Sequence, residues 1–120
     1  MSEADAESLR DEILADCAEL PKKTREKVVN LMDWWVRGTS LSVYTRLAFD
    51  FLVENERISS VDLRNAYMSN PGKAYTQGTA NAQTGQVMAI LKAFRLIDSM
   101  GDLSTGDHAM IKRYKEITSK

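Results

Sequence analysis

A chain of 120 residues and 13.5 kDa has room for one ordinary domain, or one small domain with an extension, which excludes a large multidomain enzyme. Its 43% hydrophobic and 28% charged residues place it with folded globular chains and not with disordered or fibrous ones. Sixteen Lys and Arg against seventeen Asp and Glu leave a net charge of −1, so no histone-like excess of positive charge marks a nucleic-acid partner.

The distribution of charge is uneven. Residues 1–20 hold seven acids against Arg10 alone, about −6, leaving about +5 for the remainder. Leu9, Ile13, Cys17 and Leu20 at helical spacing predict a first helix over residues 4–19, ended by Pro21. A second is predicted over 22–36, where Val28, Met32, Trp35 and Val36 form an apolar stripe and Lys22, Lys23, Arg25 and Lys27 crowd the start. Trp35 reads as a packing residue, while Trp34 points elsewhere and is free to bury against a second subunit. Gly38 is the expected stop. The third helix, over 41–55, carries Leu41, Tyr44, Leu47, Ala48, Phe51 and Leu52 on one side and reads as the strongest core helix. These elements divide the chain into a helical extension, 1–40, and a domain, 41–120.

Arg57 and Ile58 read as a short extended link, and Ser60 as the cap of a short helix over 61–68. Residues 69–72, Ser-Asn-Pro-Gly, are a turn, followed by a loop to Gly78. A longer helix from about Thr79 has Val87, Ile90, Leu91 and Phe94 spaced to bury its second half, whereas Asn81, Gln83, Thr84 and Gln86 leave its first half almost nothing to bury. No acid occurs between residues 63 and 97. Two short runs, 96–100 and 110–117, around the Gly/Asp/Ser-rich 101–107 predict a β-hairpin. The rival reading is a final helix capped by Asp107, with Met110, Ile111, Tyr114 and Ile117 as its stripe.

Helix, extended link, helix, turn, helix, hairpin over residues 41–117 resembles the winged helix-turn-helix superfamily. The stretch 87–98, Val-Met-Ala-Ile-Leu-Lys-Ala-Phe-Arg-Leu-Ile-Asp, is similar to the end of such a family's recognition helix and its entry into the wing. Two features depart from that pattern: a link of about ten residues between the two motif helices, and Gly85 inside the recognition helix, at a cost of about 1 kcal/mol relative to Ala. The resemblance implies a mainly α, winged-helix-like fold and sequence-specific binding of double-stranded DNA, as a transcriptional regulator or a plasmid, viral or chromosome maintenance factor. The helix from Thr79 would enter the major groove.

Asn and Gln side chains pair with adenine there, so Asn81, Gln83, Thr84 and Gln86 are the expected base-reading residues. Arg64, Lys73, Tyr75, Lys92, Arg95, Lys112, Arg113 and Lys115 are the expected phosphate contacts. Against this, the amides also read as ordinary solvated residues, and Lys112, Arg113 and Lys115 as an ordinary charged edge. A homodimer through the first two helices would supply two half-sites. A protein-interaction module in a larger assembly is the alternative function, and the acidic first helix could itself shield the positive surface.

No catalytic set or cofactor site is expected. Cys17 lies on an apolar stripe, His108 in a Gly/Asp-rich turn, and Asp98, Asp102 and Asp107 lack the spacing of a Ca²⁺ loop. One Cys and one His cannot build a disulfide or a His/Cys zinc site. The acidic start and the lack of an apolar run of about 18 residues exclude a signal peptide and a membrane span, giving a cytoplasmic expectation.

Overall fold

The computed structural model describes residues 3–98, 100–102 and 108–118, with backbone alone at 3–6. Its helices are α1 (Glu3–Ala18), α2 (Lys22–Arg37), α3 (Val43–Asn55), α4 (Ser60–Met68), α5 (Gln77–Ala93) and α6 (Ala109–Thr118). None is long and apolar enough to cross a membrane.

Local chemistry sets the boundaries. Gly38 closes α2 in the left-handed conformation, φ 73°, donating its N–H to Trp34 O at 3.0 Å. Ser59, one residue before the expected cap, opens α4 through a reciprocal pair with Asp62: Asp62 N–H donates to Ser59 Oγ at 3.1 Å, and Ser59 N–H to Asp62 Oδ2 at 3.3 Å. Thr76 caps α5 by accepting from Thr79 N–H at 3.3 Å, so this helix begins two residues before Thr79. At its other end Arg95 takes φ 60°, a position that glycine usually fills, and Leu96 N–H returns to Leu91 O at 2.9 Å.

A single core joins all six helices. Cys17 of α1, Leu31 and Trp34 of α2, Phe49 and Leu52 of α3, Leu63 and Tyr67 of α4 and Met110, Ile111 and Tyr114 of α6 share it with Val87, Ile90 and Leu91 of α5. Each fully buried aliphatic or aromatic side chain contributes roughly 1.5–3 kcal/mol. Trp34, not Trp35, is the core tryptophan of α2: it is 5% exposed, with its ring 6.0 Å from Phe49 and 6.4 Å from Tyr114. The buried stripe runs Thr24, Leu31, Trp34, one position off the expected one, and Val36 is left 69% exposed. Trp34 is therefore not available to a second subunit.

The wing is the main correction. Among the described residues there is no β-strand, only an isolated antiparallel bridge between Arg57 and Asp102. Residues 109–118 form α6, the rival reading, because Met110, Ile111 and Tyr114 fall on one side of a helix and are all buried, whereas a strand would alternate them. The Tyr114 hydroxyl donates to the Asp50 carboxylate, and its ring meets Phe49 edge-on at 5.2 Å. Ile117 of the expected stripe is exposed. His108 ties the start of α6 to the end of α5: Nε2 donates to Phe94 O at 2.9 Å while Nδ1 accepts from Met110 N–H at 3.2 Å. The expected hairpin tip, 103–107, and the Asp107 cap lie outside the described residues.

The bridge still matters for the fold. Ile58, nearly fully buried, donates its N–H to Gly101 O at 2.8 Å, and Asp98 N–H donates to Asp102 O at 2.9 Å, closing a tight turn over the end of α5. A Cβ at Gly101, where φ is 85°, would collide with the Ile58 carbonyl oxygen, whereas one at Gly38 would meet nothing within 4 Å. Gly101→Ala is therefore expected to cost at least about 2–3 kcal/mol, strain plus a steric clash, and Gly38→Ala only about 1 kcal/mol. Urea unfolding of the two variants checks the difference, and equal losses would contradict it.

Candidate nucleic-acid interface

The two helices expected from the sequence to form the DNA-binding pair are α4 and α5, joined by residues 69–76. This long link is pinned rather than loose. Tyr75 N–H donates to Tyr67 O at 3.1 Å, and Asn70 Nδ2 donates to Lys73 O at 3.0 Å. Tyr75 packs its ring 5.1 Å from that of Tyr44 and 6.3 Å from that of Tyr67. Tyr67, wholly buried, donates its hydroxyl to Tyr44 O at 2.8 Å, and burial pushes its phenol well above the usual range. The aromatic triad thus sets where α5 begins, although helical spacing places only Tyr44 and Tyr67 in the interior.

The expected base-reading residues separate into two groups. Asn81 is exposed, but Thr84 is only 5% exposed and its hydroxyl is sealed in the interior without a partner. Gln83 is half-buried, with Oε1 also sealed and unpartnered. Gln86 is half-buried too, and accepts a hydrogen bond from Lys27 Nζ of α2 at 2.8 Å. Gln83 and Gln86 are covered by α2, which packs along α5 on the side that carries them. What α5 shows outward is Gln77, Gly78, Asn81, Ala82, Gly85 and Lys92. Gly78, Ala82, Gly85 and Lys92 recur at helical spacing and form one ridge, with Asn81 beside it.

The expected phosphate contacts also divide. Lys73 stands 5.5 Å from the centre of the Tyr75 ring on the link before α5, and Lys92 is exposed on the ridge. Arg64 is half-buried on α4 and Tyr75 half-buried in the triad. Arg95 is engaged elsewhere: its guanidinium donates to Ala93 O at 2.8 Å and pairs with Asp16 of α1 at 2.8 Å, with Glu12 at 3.9 Å. Arg113 donates to Trp35 O and lies 5.2 Å from the centre of its ring, so α6 places Lys112, Arg113 and Lys115 at the far end of α2. At about 1.5 Å per residue, Trp35 is roughly 18 Å along the helix from Lys23. That basic group is not brought onto the face that α5 offers.

Lys22 and Lys23 are brought there. Pro21, Lys22, Lys23 and Thr24 at the start of α2 line a groove with Ala82, Gly85, Gln86 and Ala89 of α5. In the sequence these lysines read either as an extension of the DNA footprint or as a balance to acidic α1, the second being favoured; their approach to Gly85 depends on a helix-to-helix contact across some 60 residues, which no local pattern encodes. His108 and Cys17 form no dyad, since both His108 ring nitrogens are taken and Cys17 is buried, where burial and then Asp16 raise its thiol pKa. Among the described residues no group of His, Cys, Asp and Glu could hold a metal ion.

Comparison of the chain with family models, with curated proteins and with solved structures finds no match.

Gly85 gives this face a direct test. Its absent Cβ would meet nothing within 4 Å, so no internal packing needs a glycine there. Gly85→Ala is expected to raise stability by about 0.5–1 kcal/mol, through helix propensity alone. A loss on thermal or urea unfolding would mean that the position is covered and not open.

Proposed function

We propose that the chain binds double-stranded DNA, with the outer ridge of α5 against the major groove and Lys22, Lys23, Lys73 and Lys92 on the flanking phosphates. The supporting observation is the surface itself: an exposed helix edge of small and amide residues, set in a stretch without acids and bordered on two sides by lysines. Small residues at 78, 82 and 85 let the helix backbone come close to a groove wall, and Asn81 and Gln77 are the side chains that reach base edges. Lysines give affinity and register without reading sequence. The reading differs from the sequence expectation in its residues: Thr84 and Arg95 are left out, Gln83 and Gln86 face α2, and no wing takes part.

A symmetric pair of chains would double the short reading edge. Val29 and Val36, seven residues apart on the outer face of α2, and Leu14 of α1 are exposed apolar side chains available for it. A protein partner docked on the same ridge is the competing reading, favoured by the small residues and the overall charge of −1.

Binding to a mixed-sequence duplex, followed by anisotropy, should weaken linearly in log salt. Replacing Lys22, Lys23 and Lys73 by Gln should reduce the slope by about 2–3, near 0.9 for each phosphate no longer neutralised. On sequences selected from a random pool, Asn81→Ala should cost about 1–3 kcal/mol at one base position and little elsewhere. No retention on any duplex at low salt, with capture of a stoichiometric protein instead, would select the competing reading.

A further inference from the structure

Between α2, the start of α3 and α5 lies a second cleft of about 470 Å³, within the range of small-molecule sites at roughly 300–1,000 Å³. It lies between the α5 ridge and α2, and its lining is mixed: Lys23, Glu26, Lys27 and Asn30 from α2, Ser42 just before α3, and Ala82, Gln83 and Gln86 from α5.

Two of these groups lack the partner that their chemistry calls for. Lys27 is half-buried, its ammonium contacts Gln86 Oε1 at 2.8 Å and stands 5.4 Å from the centre of the Tyr44 ring, and although the charges of Glu26 and Lys23 both act on it, among the described residues it forms no ion pair with a carboxylate. Burial lowers its pKa, more than the nearby Glu26 carboxylate raises it, and the Lys23 ammonium lowers it further. Gln83 lines the cleft while its Oε1 is buried with no donor, a state that costs about 1–3 kcal/mol until a donor arrives. The terminal torsion of a glutamine is broad, and turning this amide over brings its oxygen to the cleft while placing Nε2 in the sealed position.

We infer that the cleft binds a small carboxylate that also carries an amino or hydroxyl group, the class of amino acids and hydroxy acids. The carboxylate sits between Lys23 and Lys27, bringing a negative charge to the two ammonium groups and accepting their hydrogen bonds. The amino or hydroxyl group donates to Gln83 Oε1, and Glu26 beside it accepts from an ammonium. Binding joins α2 to α5 through the ligand. The cleft shares Lys23 and Ala82 with the proposed DNA-binding face, but it is probed with small molecules in the absence of DNA, so either reading can fail without the other.

The test is an NMR titration of the full chain with L-alanine, L-lactate and propionate, at ionic strength matched with sodium chloride. Propionate keeps the carboxylate and lacks the donor. Alanine and lactate are expected to give saturable shifts at Lys27, Ser42 and Gln83, with propionate at least tenfold weaker. Lys27→Met should abolish binding of all three, and Gln83→Leu should remove only the preference over propionate. Where Lys27→Met does not give a folded spectrum, Lys23→Gln serves instead and should weaken all three. No saturable shift with any probe, equal affinity for lactate and propionate, or unchanged binding in the lysine variants would overturn the inference.

Discussion

The fold depends on the burial of the second half of α5. Val87, Ile90 and Leu91 are fully enclosed in a core to which every other helix contributes, so α5 is held most firmly at its second half, like a peg in a socket. Its first half still buries Ala80 and Thr84, sets Gln83 and Gln86 against α2, and leaves the outer edge open. Without that anchor, neither the open ridge nor the cleft on the α2 side would have a fixed geometry, and the polar residues from Thr76 to Gln86 would have little reason to remain helical.

Around this peg the charges are sorted by docking. The acids of α1 would repel a polyanion, yet Asp16 and Glu12 lie against Arg95 at the far end of α5, where the guanidinium also closes the helix by bonding its last carbonyls. The ion pair is partly exposed and contributes little to stability by itself. Its consequence is placement: α1 neutralises the one arginine at the end of α5 and leaves the lysines at the start of α2 beside the open ridge. Among the described residues three buried oxygens, on Thr45, Gln83 and Thr84, stand without partners, and two of them lie on α5. The polar half of α5 thus carries a local cost that an apolar helix of the same shape would not.

Much of the helical layout was legible in the sequence, because it is written locally. Pro21 and Gly38 bound α2, the spacing of Leu47, Ala48, Phe51 and Leu52 signals α3, and the apolar run from Val87 marks the anchored half of α5. The sequence misleads where two local patterns compete. Adjacent tryptophans differ by about 100° on a helix, so a stripe read one residue too far places Trp35 inside and Trp34 outside. Residues 110–117 satisfy both a short strand run and a helical stripe, and the decision comes from Tyr114 reaching Asp50, 64 residues away. The candidate site was legible only in outline. The polar, acid-free half of α5 is plain in the sequence, but which of its amides face outward is set by the contact of Lys27 with Gln86, and nothing within a helical turn of Gln86 announces that α2 will lie there.

The most direct measurement is amide hydrogen exchange along α5, free and with an excess of mixed-sequence duplex DNA. The account predicts that amides from Val87 to Ala93 exchange only through global unfolding in both states, that those of residues 78–86 exchange through smaller openings in the free protein, and that DNA slows this second group while leaving α6 unchanged. DNA-induced protection confined to α6, or none on α5 under conditions where the duplex is bound, would contradict it.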